Sequence, residues 1–147
     1  MKYSTKIDPD KSACAYGYEL HCSQKDSMNL ARAIKGMKIE KAKNYLQGII
    51  DMKHAVPTIY HTGKRSHRKA MGPGSYPQKA AKYMLQTLEN AENNAEYKGF
   101  DAENMKISSI SAYRGRAIKG MMPRAQGRAT DKNETTSNIE IIVEEVE

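Results

Sequence analysis

The sequence predicts an α+β fold carrying a long protruding β-hairpin, and three features of the 147-residue chain predict it. Residues 77–98 bear one continuous helical stripe of apolar side chains. Residues 105–112 and 137–146 alternate as strands do. Between those strands lies a stretch that almost nothing suits for a core: from Asn104 to Thr130 there are six Lys or Arg and no acid. The polar average (mean hydropathy −0.77) agrees with part of the chain lying outside any core. By length this is a single domain, 1–147, with an arm at about 107–141.

Each element has a local cause. Residues 1–11 read as frayed. Residues 12–20, Ser-Ala-Cys-Ala-Tyr-Gly-Tyr-Glu-Leu, alternate loosely and read as a strand. Ser23 or Asp26 offers a helix N-cap, and Met28, Ala31, Ile34 and Lys35 follow at helical spacing before Gly36 supplies a stop. A second helix starts near Ile39, with Ile39, Ala42, Leu46, Ile49 and Ile50 on one face. Residues 53–76 read as a loop, because Pro57, Gly63, Gly72, Pro73 and Gly74 interrupt any regular pattern. Pro77 fits a first helical position, and Ala81, Met84, Leu85, Leu88, Ala91 and Ala95 form the stripe of the third helix. Gly99 fits the position just past its end.

The strand from Met105 to Ala112 changes phase at Ser108-Ser109, and a bulge there would restore one face. Its partner is Ser137–Val146, where Ile139, Ile141 and Val143 alternate against Glu140 and Glu144. If the two pair, the turn falls near Gly120–Pro123. Arms of about 14 residues then reach roughly 45 Å at ~3.3 Å per residue. That exceeds the ~15 Å radius of a domain this size, so the hairpin must protrude. A two-stranded ribbon is marginal in water, so its outer half needs a partner.

Charge names the kind of partner. Residues 53–88 hold seven Lys or Arg and no acid; residues 104–130 hold six and none. With +7 overall and +13 in these windows, the rest of the chain is net −6. Two basic windows on a mildly acidic body point to a polyanion docked at defined places, with solvated charged faces as the bland alternative. Lys53, Lys64, Arg65, Arg68 and Lys69 in the first window and Arg114, Arg116, Lys119, Arg124 and Arg128 in the second are the candidate RNA contacts. Guanidinium grips phosphate with two prongs and stacks on bases. Gly115, Gly120 and Gly127 allow close backbone approach. Met121 and Met122 lie near the turn with no core to enter, so they should touch RNA or another chain.

Other chemistries find little support. His54, His61 and His67 are spaced unlike any compact zinc motif and sit among cations. No carboxylate pair is available in either window for two-metal chemistry. Ser108, Ser109 and Ser111 are simply explained as the outer face of a strand. Gly72-Pro-Gly74 lacks the pattern of a phosphate loop. No cofactor, metal or catalytic role is expected. Cys14 and Cys22 form no C-x-x-C, Lys2 and Lys6 are followed by Asp8 and Asp10 rather than an apolar run, and no stretch could span a bilayer, so the expectation is a reduced cytoplasmic protein.

The segment Ile118-Lys-Gly-Met-Met-Pro-Arg-Ala-Gln-Gly-Arg-Ala-Thr130 closely resembles the hairpin signature of a universal ribosomal protein family of the large subunit, the L-twenty-two family. Leu88-Glu-Asn-Ala-Glu-Asn-Asn-Ala-Glu-Tyr-Lys-Gly99 is similar to its long-helix signature, and Met28-Asn-Leu-Ala-Arg-Ala-Ile-Lys-Gly36 to its first helix. The extended loop at 57–76 resembles the archaeal and eukaryotic branch. The resemblance implies three helices packed on a small three-stranded antiparallel sheet, with the long β-hairpin leaving it. It implies a structural constituent of the large ribosomal subunit that binds large-subunit rRNA, contacts neighbouring ribosomal proteins and is ribosome-bound. It further implies a tip, Lys119, Gly120, Met121, Met122, Pro123, Arg124 and Ala125, at the wall of the polypeptide exit tunnel beside the nascent polypeptide. Gly120 departs from the large or basic residue of many relatives. The alternatives are a free RNA-binding or RNA-chaperone protein and, in a different class, a His-dependent ribonuclease.

Overall fold

Short-range patterning becomes three helices and antiparallel sheets in the computed structural model, which describes residues 1–147 except 1, 2, 6, 7, 10, 61, 102, 103, 146 and 147. The order is β1 (Ser12–Leu20), α1 (Gln24–Ile34), α2 (Ile39–Ile50), β2 (Val56–Pro57), β3 (His67–Arg68), β4 (Gly72–Ser75), α3 (Gln78–Tyr97), β5 (Met105–Ile118), β6 (Met121–Pro123), β7 (Ala129–Asp131) and β8 (Glu134–Glu145). The main sheet runs β1-β8-β5, antiparallel throughout.

The helices end where local chemistry stops them. Ser23 caps α1, its side chain accepting from the Asp26 N–H. Ser27, Leu30, Ala31 and Ile34 form the buried stripe, while Met28 is only half-buried. Gly36, at φ +82°, turns the chain. The Gly36 N–H then donates to the Ile107 carbonyl at 3.0 Å, and the Ile107 N–H to the Met37 carbonyl at 2.9 Å, hooking the α1–α2 corner onto β5. Ile39, Ala42, Leu46 and Ile49 of α2 face Met84, Leu88, Ala91 and Ala95 of α3 in one core with Met105, Ile107, Ile139, Ile141 and Val143. Each large side chain so buried stabilises by ~1.5–3 kcal/mol.

The expected bulge is present: Ile107 faces Val143 and Ser109 faces Ile142, leaving Ser108 as the extra residue. Met105, Ile107 and Ile110 thereby share the buried face. The other face of β8 departs from expectation. Glu144 is exposed, but Glu140 is 1% exposed, and Ile142 is buried as well. A cover explains it. Tyr3 packs edge-on against Tyr16 at 6.3 Å, and the Ser4 N–H lies 3.3 Å from both Glu140 carboxylate oxygens, with the Ser4 hydroxyl also donating to Oε1. The described part of the segment expected to fray therefore lies against the sheet; the predicted strand end at Val146 lies outside the described residues.

The loop at 53–76 also holds more order than expected. Strands β2-β4-β3 form a small sheet of their own. Pro73 is tolerated in its middle strand because the two pairings are offset: β2 pairs with Gly74 and Ser75, β3 with Gly72 and Pro73. The Pro73 carbonyl still accepts from the Thr58 N–H at 2.9 Å, and Val56 and Thr58 are buried.

The β5–β8 ladder continues to Ile118↔Glu134, with a second irregularity between Arg114 and Ala117. β6 then pairs with β7 from Met121↔Asp131 to Pro123↔Ala129. The chain reverses at Arg124–Arg128, where the Arg124 N–H donates to the Arg128 carbonyl at 2.7 Å. That is a few residues beyond the Gly120–Pro123 turn read from sequence. Pro123 suits an extended strand, whereas Gln126 (φ 60°) and Gly127 (φ 65°) supply the left-handed backbone that the reversal needs.

Candidate nucleic-acid interface

The ten candidate cations fall into two groups once their neighbours are known. On the arms, Arg114, Arg116, Lys119, Arg124 and Arg128 are all exposed. Arg116 comes within 3.5 Å of Glu19, a contact with the arginine still 71% exposed. Arg124 Nε donates to Thr130 Oγ1 at 3.2 Å, and an Arg128 N–H donates to Gln126 Oε1 at 2.9 Å. Both partners are neutral, so the charge stays available. Exposed ion pairs contribute only ~0–1 kcal/mol, too little to hold Arg116 against a phosphate.

The first window is different. Lys64 and Lys69 are exposed, and Lys53 is exposed beside Asp51 at 3.2 Å. Arg65, however, is half-buried in an ion pair with Asp26 of α1, and Arg68 lies over the Tyr76 ring, 4.9 Å from its centre. Arg68 Nε is buried with no hydrogen-bond partner among the described residues. These two arginines shape the β2–β4 segment as well as charging it.

The glycines of the arm have defined tasks. A side chain at Gly120 would bring a Cβ to 2.7 Å from the Lys132 carbonyl, whose own N–H donates to the Gly120 carbonyl at 2.7 Å. At Gly115 a Cβ would meet Thr136 Oγ1 at 2.5 Å. Close cross-strand approach therefore explains both. Met121 is 75% exposed, Met122 40% and Ile118 38%.

Several cations stand outside the ten candidate contacts, although Lys106 is one of the six of the second basic window. Lys132 sits exposed on the returning arm. Lys38 and Lys106, far apart in sequence, face each other across a single antiparallel bridge, and Lys106 shares a cleft with Lys35 and with Glu144 and Glu145 of β8. Only the Gly36–Ile107 hook brings them together, so no local pattern marks them. His54 stacks on Tyr45 at 6.2 Å, His67 is exposed on β3, and His61 lies outside the described residues. No group of three His, Cys, Asp or Glu suited to a metal occurs among the described residues, and no helix among them is long and apolar enough to cross a membrane.

The family described as ribosomal protein L22p/L17e matches residues 15–144. The chain belongs to this family. It is similar to the large ribosomal subunit protein uL22 of Methanococcoides burtonii, 48% identical over 147 residues that cover 99% of this chain and 97% of the relative. It is also similar to those of Archaeoglobus fulgidus (45% identical, 93% and 90% covered) and Sulfurisphaera tokodaii (45%, 95% and 94%). Membership of the L22p/L17e family makes the chain a structural, non-enzymatic constituent of the large ribosomal subunit, ribosome-bound in the cytoplasm and associated with the subunit's RNA and proteins.

Proposed function

We propose that this family member, as one domain over 1–147, binds large-subunit rRNA through two surfaces. The first is the exposed Lys53, Lys64 and Lys69 with Arg65 and Arg68 behind them. The second is the row Arg114, Arg116, Lys119, Arg124 and Arg128. In this reading the paired strands at about 107–141 protrude as a long β-hairpin that threads between RNA helices. Its distal residues, Lys119, Gly120, Met121, Met122, Pro123, Arg124 and Ala125, form part of the polypeptide exit tunnel wall and touch the nascent polypeptide. The observation that carries the reading is the exposure of residues 116–135: all are exposed but Gly120, which is intermediate. A ribbon this basic, with three exposed apolar side chains on its outgoing arm, lacks a folding partner within its own chain. Phosphate neutralises the cations with release of counterions, and folded RNA is recognised largely by shape and backbone path.

A photo-crosslinker tests the tunnel end of this reading. Placed at Met121 or Gln126 in ribosomes stalled during synthesis, it should capture the nascent chain. Placed at Tyr97, which is 93% exposed on α3, it should not. Capture from Tyr97 and never from the arm would reverse the proposed orientation. Glu140 does not serve as the control, because it is buried.

A further inference from the structure

β5 is an outer strand of the main sheet, and α1 packs beside it. Between them opens a groove of about 350 Å³ lined by Met28, Arg32, Lys35, Tyr60, Ile110 and Ala112. Its composition is amphipathic in a particular way. Apart from Ser111 the walls are apolar, Arg32 on α1 and Lys35 at its C-cap stand exposed, and no carboxylate of the described residues lines it.

The backbone that carries the Tyr60 ring is pinned by Asn29 of α1. Asn29 is 5% exposed, and its side-chain oxygen accepts from the Ile59 N–H at 3.0 Å and the Tyr60 N–H at 3.2 Å. Its amide nitrogen donates to the Lys25 carbonyl at 2.8 Å, which fixes the Asn29 side chain on α1. Arg32 donates to the Tyr60 hydroxyl at 3.0 Å, with its guanidinium carbon 5.6 Å from the ring centre. Tyr60 nevertheless stays 44% exposed and its neighbour Ile59 49%. A buried side chain thus spends its hydrogen bonds on presenting a ring to solvent.

We propose that this groove takes a single unpaired nucleotide of RNA, the base stacking on Tyr60 and the phosphate meeting Arg32 and Lys35. This rests on the rRNA-binding reading above and adds a site whose cations, Arg32 and Lys35, lie outside both basic windows. Three observations favour it over other ligands. The volume is at the small end of the ~300–1,000 Å³ range of ligand clefts, which admits one base but not a duplex. A-form duplexes present phosphates and riboses, whereas unpaired bases are the ones that stack on aromatic side chains. An apolar peptide would leave the two cations without counter-charge, and an acidic peptide would leave the ring without a planar partner.

The test uses the full chain with a single-stranded uridine octamer containing 4-thiouridine, irradiated and mapped by mass spectrometry, and the same RNA annealed to its complement. The single strand should label Tyr60 or Met28, and the duplex should not. Tyr60→Ala should lower labelling at Met28 about tenfold, in line with the stacking contribution of one base, while Tyr60→Phe should retain it. Asn29→Ala, altering a positioning residue, and Arg32→Gln, at an exposed site that leaves the core untouched, should each lower it as well. Equal labelling by duplex, labels confined to 114–128 and 62–69, or an unchanged Tyr60→Ala would overturn the proposal. Arg114→Ala with Arg128→Ala separates the two ideas. If that variant weakens rRNA binding while the groove takes no label, only the groove fails; if wild-type protein binds no rRNA at all, the wider reading fails with it.

Discussion

Glu140 lies between the sheet and the segment that carries Tyr3 and Ser4, and around it gather Tyr16 and Tyr113, whose hydroxyls meet at 2.8 Å. Burial, then hydrogen bonding to the Cys14 thiol, then the charge of Glu140 push the Tyr3 hydroxyl up to about 12. Burial and the bond donated to Tyr16 raise Tyr113 in the same direction. A phenol whose pKa is raised by folding stabilises the native state fully below its unfolded value of 10.0, and that contribution is lost as pH climbs through the folded value. Stability measured by urea unfolding should therefore fall between about pH 10 and pH 12. Tyr3→Phe should flatten that fall; an identical profile in the variant would detach Tyr3 from it. At Gly120 the argument is steric. Gly120→Val should force the arms apart at the Lys132 carbonyl, 2.7 Å from the new Cβ. Amide exchange at Lys132 should quicken by at least tenfold, while protection in α3 stays unchanged, because no residue from 116 to 135 belongs to the core. Unaltered exchange at Lys132 would show that the arms accommodate the side chain.

At the scale of elements, the helices and the arm divide the labour. α1, α2 and α3 each bury one stripe, and their stability comes from packing rather than from propensity. Residues 116–135 bury almost nothing and present charge. If the arm's arginines meet phosphates, Arg114→Ala with Arg128→Ala should flatten the slope of log affinity for rRNA against log salt. The expected change is about one to two units, at roughly 0.7–0.9 per phosphate. A slope equal to that of wild type would mean that these guanidiniums do not contact phosphate. The β2–β4 segment stands between the two cases, since Arg65 is paired with Asp26 and the Thr58 N–H is bonded within the chain.

In the whole molecule a buried core coexists with the exposed strands of residues 116–135. Replacing residues 119–132 by an Asn-Gly turn should therefore leave the body folded. The melting temperature should move by no more than about 4 °C, the shift expected for ~1 kcal/mol or less in a chain of this length. The same excision should weaken rRNA binding more than tenfold, since it removes Lys119, Arg124, Arg128 and Lys132. Calorimetry and a filter-binding assay read the two effects separately. A collapse of the melting transition would make the arm part of the folding unit.

Local patterns alone located β1, the three helices and the bulge at Ser108, because periodicity, caps and phase changes are written within a few residues of where they act. They also marked the acid-free stretch whose cations remain exposed on the arms. They misplaced the reversal, since Gly120 and Gly127 look equally fit for a turn until cross-strand register shows that one is needed for close approach and the other for its positive φ. Glu140 read as a solvent-facing residue because alternation describes one strand and is blind to what covers its far face. Arg65 read as a free cation because Asp26 is 39 residues away. The groove beside Tyr60 had no signature at all, being made by Asn29 reaching from one helix to a distant loop. Charge and periodicity are properties of neighbours along the chain; ion pairing, burial and clefts belong to neighbours in space, which only the folded structure assigns.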